Sequence, residues 1–209
     1  MVTGITLYTN PMSRGQIARW ILEEVGQPYE MVILDYDSGM KAPDYLAINP
    51  MGKVPAIVHA GKVVTECAAI CAYLADAFPA ARLAPSPDDR AAYYRWLFFA
   101  AGPVEAAVTN KALGFEVPEG RERMAGYGTF DRTIDALESA VSGPAWICGD
   151  QFTAADVYVG AQIDWGLSFG TMPSCPAFEA YAARLRERPA YQRQKELDNA
   201  LIAQMQKPA

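Results

Sequence analysis

The chain has 209 residues, half of them apolar (51%), and a formal net charge of −6 at pH 7, so it can bury a core in one large or two small domains. The acidic balance supplies no basic stripe for nucleic acid and disfavours anionic membrane surfaces. No uncharged apolar run approaches the roughly 18 residues of a membrane span, and residues 1–10 lack the basic start and long apolar stretch of a signal peptide.

Residues 4–9 alternate apolar and polar side chains and end at Asn10-Pro11, which predicts a strand and a turn. Ile17, Trp20, Ile21 and Val25 then share one helix face. Arg19, Glu23 and Glu24 fall outside that stripe, Ser13 reads as the N-cap, and Gly26 as the C-terminal stop. A second strand is expected over 29–34, a short helix over 41–48 and a turn at Asn49-Pro50-Met51-Gly52. Strands over 54–58 and 62–64 flank a turn holding His59, the one histidine, read as solvated. Ile70, Tyr73, Leu74, Ala77 and Phe78 restore the helical period until Pro79.

The proline-rich stretch 79–88 marks a domain boundary. Beyond it the pattern is helical throughout. A helix over 89–113 is expected to bend at Gly102-Pro103. Another is expected over 121–142, with Met124, Ile134, Leu137 and Val141 inward. A third starts at Thr153, where Asp156 can reach back to complete a capping box and Phe152 and Val157 can form a hydrophobic staple. Two shorter helices, near 176–187 and 190–198, are separated by Pro189, and the tail frays from Gln204. The fold class is therefore a small α/β domain over 1–79, a linker over 80–88 and an all-helical domain over 89–209.

Cys67, Cys71, Cys148 and Cys175 are irregularly spaced, which indicates free thiols in a reducing, cytoplasmic setting. Cys67 and Cys71 share a helix face without a second ligand pair, so no metal site is expected. Three features of the first domain can carry chemistry. Ser13-Arg14 stands where a helix start offers N–H donors to a developing anion. Lys53-Val54-Pro55 opens a strand, and a cis bond there would turn the Val54 backbone toward a peptide-like ligand. A trans proline would simply start the strand. Glu66-Cys67 begins a helix that can take a carboxylate on its N–H groups and an ammonium on Glu66. Each also has an ordinary structural reading, as a cap, a strand start or a dipole-complementing glutamate.

Taken together, Leu7-Tyr8, Ser13-Arg14, the segment from Asn49 to Pro55, the segment from Thr65 to Leu74, the capping segment from Phe152 to Asp156, and Arg188-Pro189-Ala190 resemble the cytosolic glutathione transferases, in that family's order and over nearly the whole chain. The resemblance implies a thioredoxin-like first domain, a homodimer, a role in detoxification, and glutathione as co-substrate with a small apolar electrophile. The electrophile would lie against the helical domain near Tyr93, Tyr94, Trp96 or Phe98. By the same resemblance Val54, before Pro55, pairs with the cysteinyl part of glutathione, Glu66 and Cys67 bind its γ-glutamyl end, and Lys53 with Lys41 faces the glycyl carboxylate.

Two positions depart from the pattern. Cys67 stands where the family places a serine or threonine, and a thiol is a weak donor. Arg14-Gly15 also follows Tyr8 at a greater distance than in the tyrosine-type pattern. The residue activating the glutathione thiol is read as Ser13, with Tyr8, Asn10 and Arg14 as alternatives. Peroxide reduction or isomerisation on the same scaffold, and a non-catalytic dimerising or protein-binding module, are the competing functions.

Overall fold

The computed structural model describes residues 4–207, which form two compact units, one of residues 4–82 with 187–207 and one of Leu83–Arg186. In the first unit the elements are β1 (Ile5–Thr9), α1 (Gly15–Val25), β2 (Tyr29–Ile33), α2 (Pro43–Leu46), β3 (Ala56–His59), β4 (Lys62–Thr65), α3 (Cys67–Ala77) and, from the far end of the chain, α9 (Pro189–Met205). The sheet order is β2-β1-β3-β4, with β1 parallel to β2 and antiparallel to β3, and β3 antiparallel to β4.

Alternation along β1 sorts its side chains as the period-two pattern demands. Ile5, Leu7 and Thr9 are buried, and α1 packs against β1, α3 and α9. Tyr8 points the other way and joins Leu34, Ile48 and Val54 around buried Met40, Tyr45 and Ala56. The expected strands and the stop at Gly26 (φ 70°) are present. His59 differs from the solvated reading: it lies in β3, half-buried, with Nδ1 2.9 Å from the Tyr73 hydroxyl and its ring against Phe78.

Arg19 also differs from its sequence pattern. It is buried beneath α9, where its guanidinium meets Asp198 at 2.9 Å, Gln194 donates to the same carboxylate at 2.5 Å, and a second Arg19 nitrogen contacts the Met31 sulfur. Glu24 accepts both forks of Arg188 at 2.6 Å, and Tyr191 meets Trp20 edge-on. α9 runs to Met205, beyond the expected end near 198, and it packs on α1. The helices of 89–209 are thus shared between the two units.

The second unit contains α4 (Ala91–Phe99), α5 (Glu105–Ala112), α6 (Phe130–Val141), α7 (Ala154–Phe169) and α8 (Pro176–Arg186). At the bend expected at Gly102-Pro103 the chain makes a π-helical turn over Ala100–Val104, with Pro103 inside it, that joins α4 to α5. The helix expected over 121–142 begins only at Phe130, where the Thr129 side chain accepts from Arg132 N. Gly126 and Gly128 disfavour helix before that cap, and Met124 is 77% exposed instead of inward. Ile134, Leu137 and Val141 are buried as the periodicity requires.

α7 is the core of this unit. Its start carries the expected capping box, and Phe152 and Val157 are both buried. Gly160 lets Leu185 approach so closely that a Cβ would collide with it. Among the described residues no helix is long and apolar enough to cross a membrane.

Candidate active site

Strand register brings the candidate segments to one end of the sheet. Tyr8 pairs with Ala56, and Ala56 with Thr65, while Thr9 pairs with Ile33. The turn after β1, the loop after β2, the Lys53-Val54-Pro55 segment before β3 and the start of α3 after β4 therefore all emerge there. A direct contact ties two of them: the Cys67 thiol donates to the Arg14 carbonyl at 3.5 Å.

The turn after β1 is ordered by its own side chains. Asn10 is buried; its amide donates to Leu34 O at 2.9 Å and its Oδ1 accepts from Met12 N at 2.9 Å. The Ser13 hydroxyl donates to Asn10 O at 2.7 Å and accepts from Gly15 N at 2.9 Å. Arg14 occupies the N-cap position of α1, one residue later than the sequence pattern suggested, and Ser13 reaches the helix start from just outside it. Gly15 sits against the Thr9 hydroxyl, where any Cβ would overlap it, so the absence of a side chain brings α1 down onto the strand end. Tyr36 donates to Met12 O at 3.0 Å from the loop after β2.

That loop is itself fixed by Asp35, whose carboxylate accepts from the backbone of Asp37, Ser38 and Gly39 and from the Ser38 hydroxyl. The Ser38 and Gly39 N–H bonds hold its carboxyl down at about 2. Lys41 then reaches Gly52 O at 2.8 Å. The Lys53 carbonyl accepts from the Tyr45 hydroxyl at 2.6 Å and from the Asn49 amide at 2.8 Å. Burial pushes the Tyr45 phenol up. Three side chains thus grip the backbone immediately before Val54-Pro55, and that peptide bond is cis.

Glu66 starts α3 without a side-chain cap, in a backbone conformation (φ 65°, ψ 122°) that non-glycine residues rarely adopt. It is exposed, whereas Cys67 beneath it is buried. The first N–H groups of α3 therefore begin under an uncapped, outward carboxylate.

Residues 3–76 match the model of the glutathione S-transferase N-terminal domain, and residues 81–165 that of the C-terminal domain. The chain belongs to the glutathione S-transferase family. Similar proteins include glutathione S-transferase GstA of Escherichia coli O157:H7, 27% identical over 192 residues, covering 89% of this chain and 94% of that protein. Disulfide-bond oxidoreductase YfcG of Escherichia coli K12 is 27% identical over 200 residues, covering 89% and 92%. A glutathione transferase homologue from Sulfitobacter, solved with bound glutathione, superposes with a TM-score of 0.76 at 26% identity, covering 93% of this chain and 98% of that one.

In this transferase the structure gathers Ser13, Tyr8, Asn10, Arg14, Val54, Pro55, Glu66 and Cys67 around one sheet end, with Lys41 and Lys53 on the adjoining segments. It also separates their present roles. Asn10 is enclosed and doubly bonded, Arg14 contributes a carbonyl to Cys67, and Tyr8 packs its ring against Tyr45 at 5.6 Å. Tyr45, Asn49 and Tyr36, with Gln16, whose amide donates to Pro11 O at 2.6 Å, position these segments. Only Asn49 stood inside a segment the sequence singled out. Of the aromatics expected near a co-substrate, Tyr93 is core at 1% exposure, while Tyr94 and Phe98 are exposed.

Proposed function

We propose that this glutathione transferase binds glutathione along its first unit and uses the thiolate to attack small apolar electrophiles. The Val54 backbone pairs with the cysteinyl part. Glu66 holds the γ-glutamyl ammonium and the Cys67 backbone N–H its carboxylate, while Lys53 and Lys41 face the glycyl carboxylate. The Cys67 thiol is directed to Arg14 O, so its backbone and not its side chain serves the ligand. One observation carries the reading: the register puts the Val54-Pro55 segment, the uncapped start of α3 and the Ser13 turn at the same end of one sheet.

A free thiol has a pKa of about 8.5, and lowering it by two units needs about 2.7 kcal/mol of preferential thiolate stabilisation. The N–H groups opening α1 and a Ser13 hydroxyl turned from Asn10 O toward the sulfur supply donors for this. The thiol proton passes to solvent. The sulfur pair forms the new C–S bond, and the leaving group departs with the pair of the bond it breaks. The homodimer and the place in detoxification belong to this reading through the family resemblance.

Calorimetric titration with glutathione, followed by turnover on a panel of aryl halides, conjugated carbonyls, peroxides and a small disulfide, tests it. The disulfide arm is included because a relative is named a disulfide-bond oxidoreductase. Ser13→Ala is expected to raise the pKa of bound glutathione by about one to two units, the equivalent of one charge-assisted bond, while Tyr8→Phe leaves it in place. The reverse result transfers the activating role to Tyr8. Absence of glutathione binding points to a module without catalysis.

A further inference from the structure

α9 is fastened to α1 by Arg19–Asp198, Glu24–Arg188 and the Trp20–Tyr191 edge contact, all of which end on the body of α1. One further link goes past the helix. The Lys195 ammonium donates to Gln16 Oε1 at 3.1 Å, and the Gln16 amide donates to Pro11 O at 2.6 Å. Proline has no N–H, so that carbonyl is the one polar backbone group of Pro11. It lies in the turn between Asn10, whose carbonyl takes the Ser13 hydroxyl, and Met12, whose carbonyl takes the Tyr36 hydroxyl. The Lys195 ammonium also lies 5.4 Å from the centroid of the Tyr191 ring.

We propose that Gln16 is a positioning residue for thiol activation, transmitting the hold of α9 to the turn that carries Ser13. The inference rests on the reading of that turn as the place where the glutathione thiol is ionised. Its physical basis is geometric. A neutral amide brings no charge to the turn, but anchored at one end by Lys195 it fixes the Pro11 carbonyl and, with Tyr36, closes the turn from both sides. Preorganised donors stabilise a thiolate only when they are held where the sulfur arrives. α9 thereby becomes part of the active site's support.

The test is a double-mutant cycle on the full chain, read by thiolate absorbance of bound glutathione against pH, by kcat and KM for glutathione, and by a thermal melt. Gln16→Leu is expected to raise the thiol pKa by about one unit and to lower kcat near neutral pH about tenfold, with KM for glutathione within about twofold. Lys195→Met should move the pKa in the same direction by about half a unit, and Lys195→Arg should restore it. Because the two residues act through one relay, the double variant should match Gln16→Leu alone. Additive shifts would assign Lys195 a separate electrostatic effect and overturn the relay. A lowered melting temperature with thiol pKa and kcat unchanged would reduce Gln16 to a stability role. If wild-type bound glutathione shows the pKa of the free thiol, the reading of the turn fails first, and the proposal goes with it.

Discussion

Two helices in this molecule begin in opposite ways. α7 starts on a carboxylate, Asp156, that accepts from Thr153 N at 2.7 Å, Ile147 N at 2.7 Å and the Tyr181 hydroxyl at 2.5 Å. Burial pushes its carboxyl up, while those four-sided bonds, including one from the Thr153 hydroxyl, pull it back. Burial and the facing carboxylate in turn hold the Tyr181 phenol well above its usual range. α3 starts on Glu66, exposed, uncapped and in a rare backbone conformation. Both starts carry an acidic residue near the N-terminus, as the helix dipole favours. A start closed by side-chain bonds holds a fold together; one without a side-chain cap and with an exposed acidic residue is suited to a ligand.

The comparison breaks most readily at α7. Asp156→Ala takes the acceptor from four donors, the Thr153 and Ile147 N–H groups and the Thr153 and Tyr181 hydroxyls, at roughly 1–3 kcal/mol for each left unsatisfied, so a loss of about 4 kcal/mol or more, or outright failure to fold, is expected in urea titration. Glutathione affinity of the folded fraction should be unchanged. If Asp156→Ala is tolerated at less than about 1 kcal/mol, the closed start is not the keystone its bonding implies.

Glu66→Ala sharpens the other side. Loss of a hydrogen bond to a charged group should weaken glutathione binding by about 1.5–3 kcal/mol in calorimetry, while stability shifts by less than about 0.5 kcal/mol. An unchanged affinity would remove Glu66 from the site.

Asp35 supplies an intermediate case, a carboxylate saturated with donors yet exposed. Its folded pKa, about 2, lies below the unfolded value near 4. Its contribution is therefore fully present above the unfolded value and is lost as pH falls through the folded one. Amide exchange over 35–39 should quicken, relative to global unfolding, only as the solution is acidified through that window. Asp35→Asn should show the quickened exchange already at neutral pH, with the smallest effect of the three because the loop is solvated.

Local pattern was enough for much of this. Period two along β1, period 3.6 along α1 and α3, the stop at Gly26, the bend at Gly102-Pro103 and the capping box at Thr153 are all set by residues within a few positions of one another. The candidate site was legible as three separate segments because each sits at an element boundary with its own turn or cap chemistry. Met124 was misplaced because an apolar residue at helical spacing says nothing about the glycines and the Thr129 cap that delay the helix to Phe130.

Local residue patterns specify the elements, their order and the identity of the groups that can do chemistry. Tertiary structure alone decided which of them meet. Strand register set the turn after β1, the Val54-Pro55 bond and the α3 start side by side, and register depends on pairing partners distant in the chain. Arg19, polar by pattern, became core because α9 arrives from the far end of the chain carrying Asp198. Gln16 gained its place at the turn because Lys195 comes with the same helix. A buried charge is tolerated only where a partner meets it, and such a meeting is a property of packing that no local window contains.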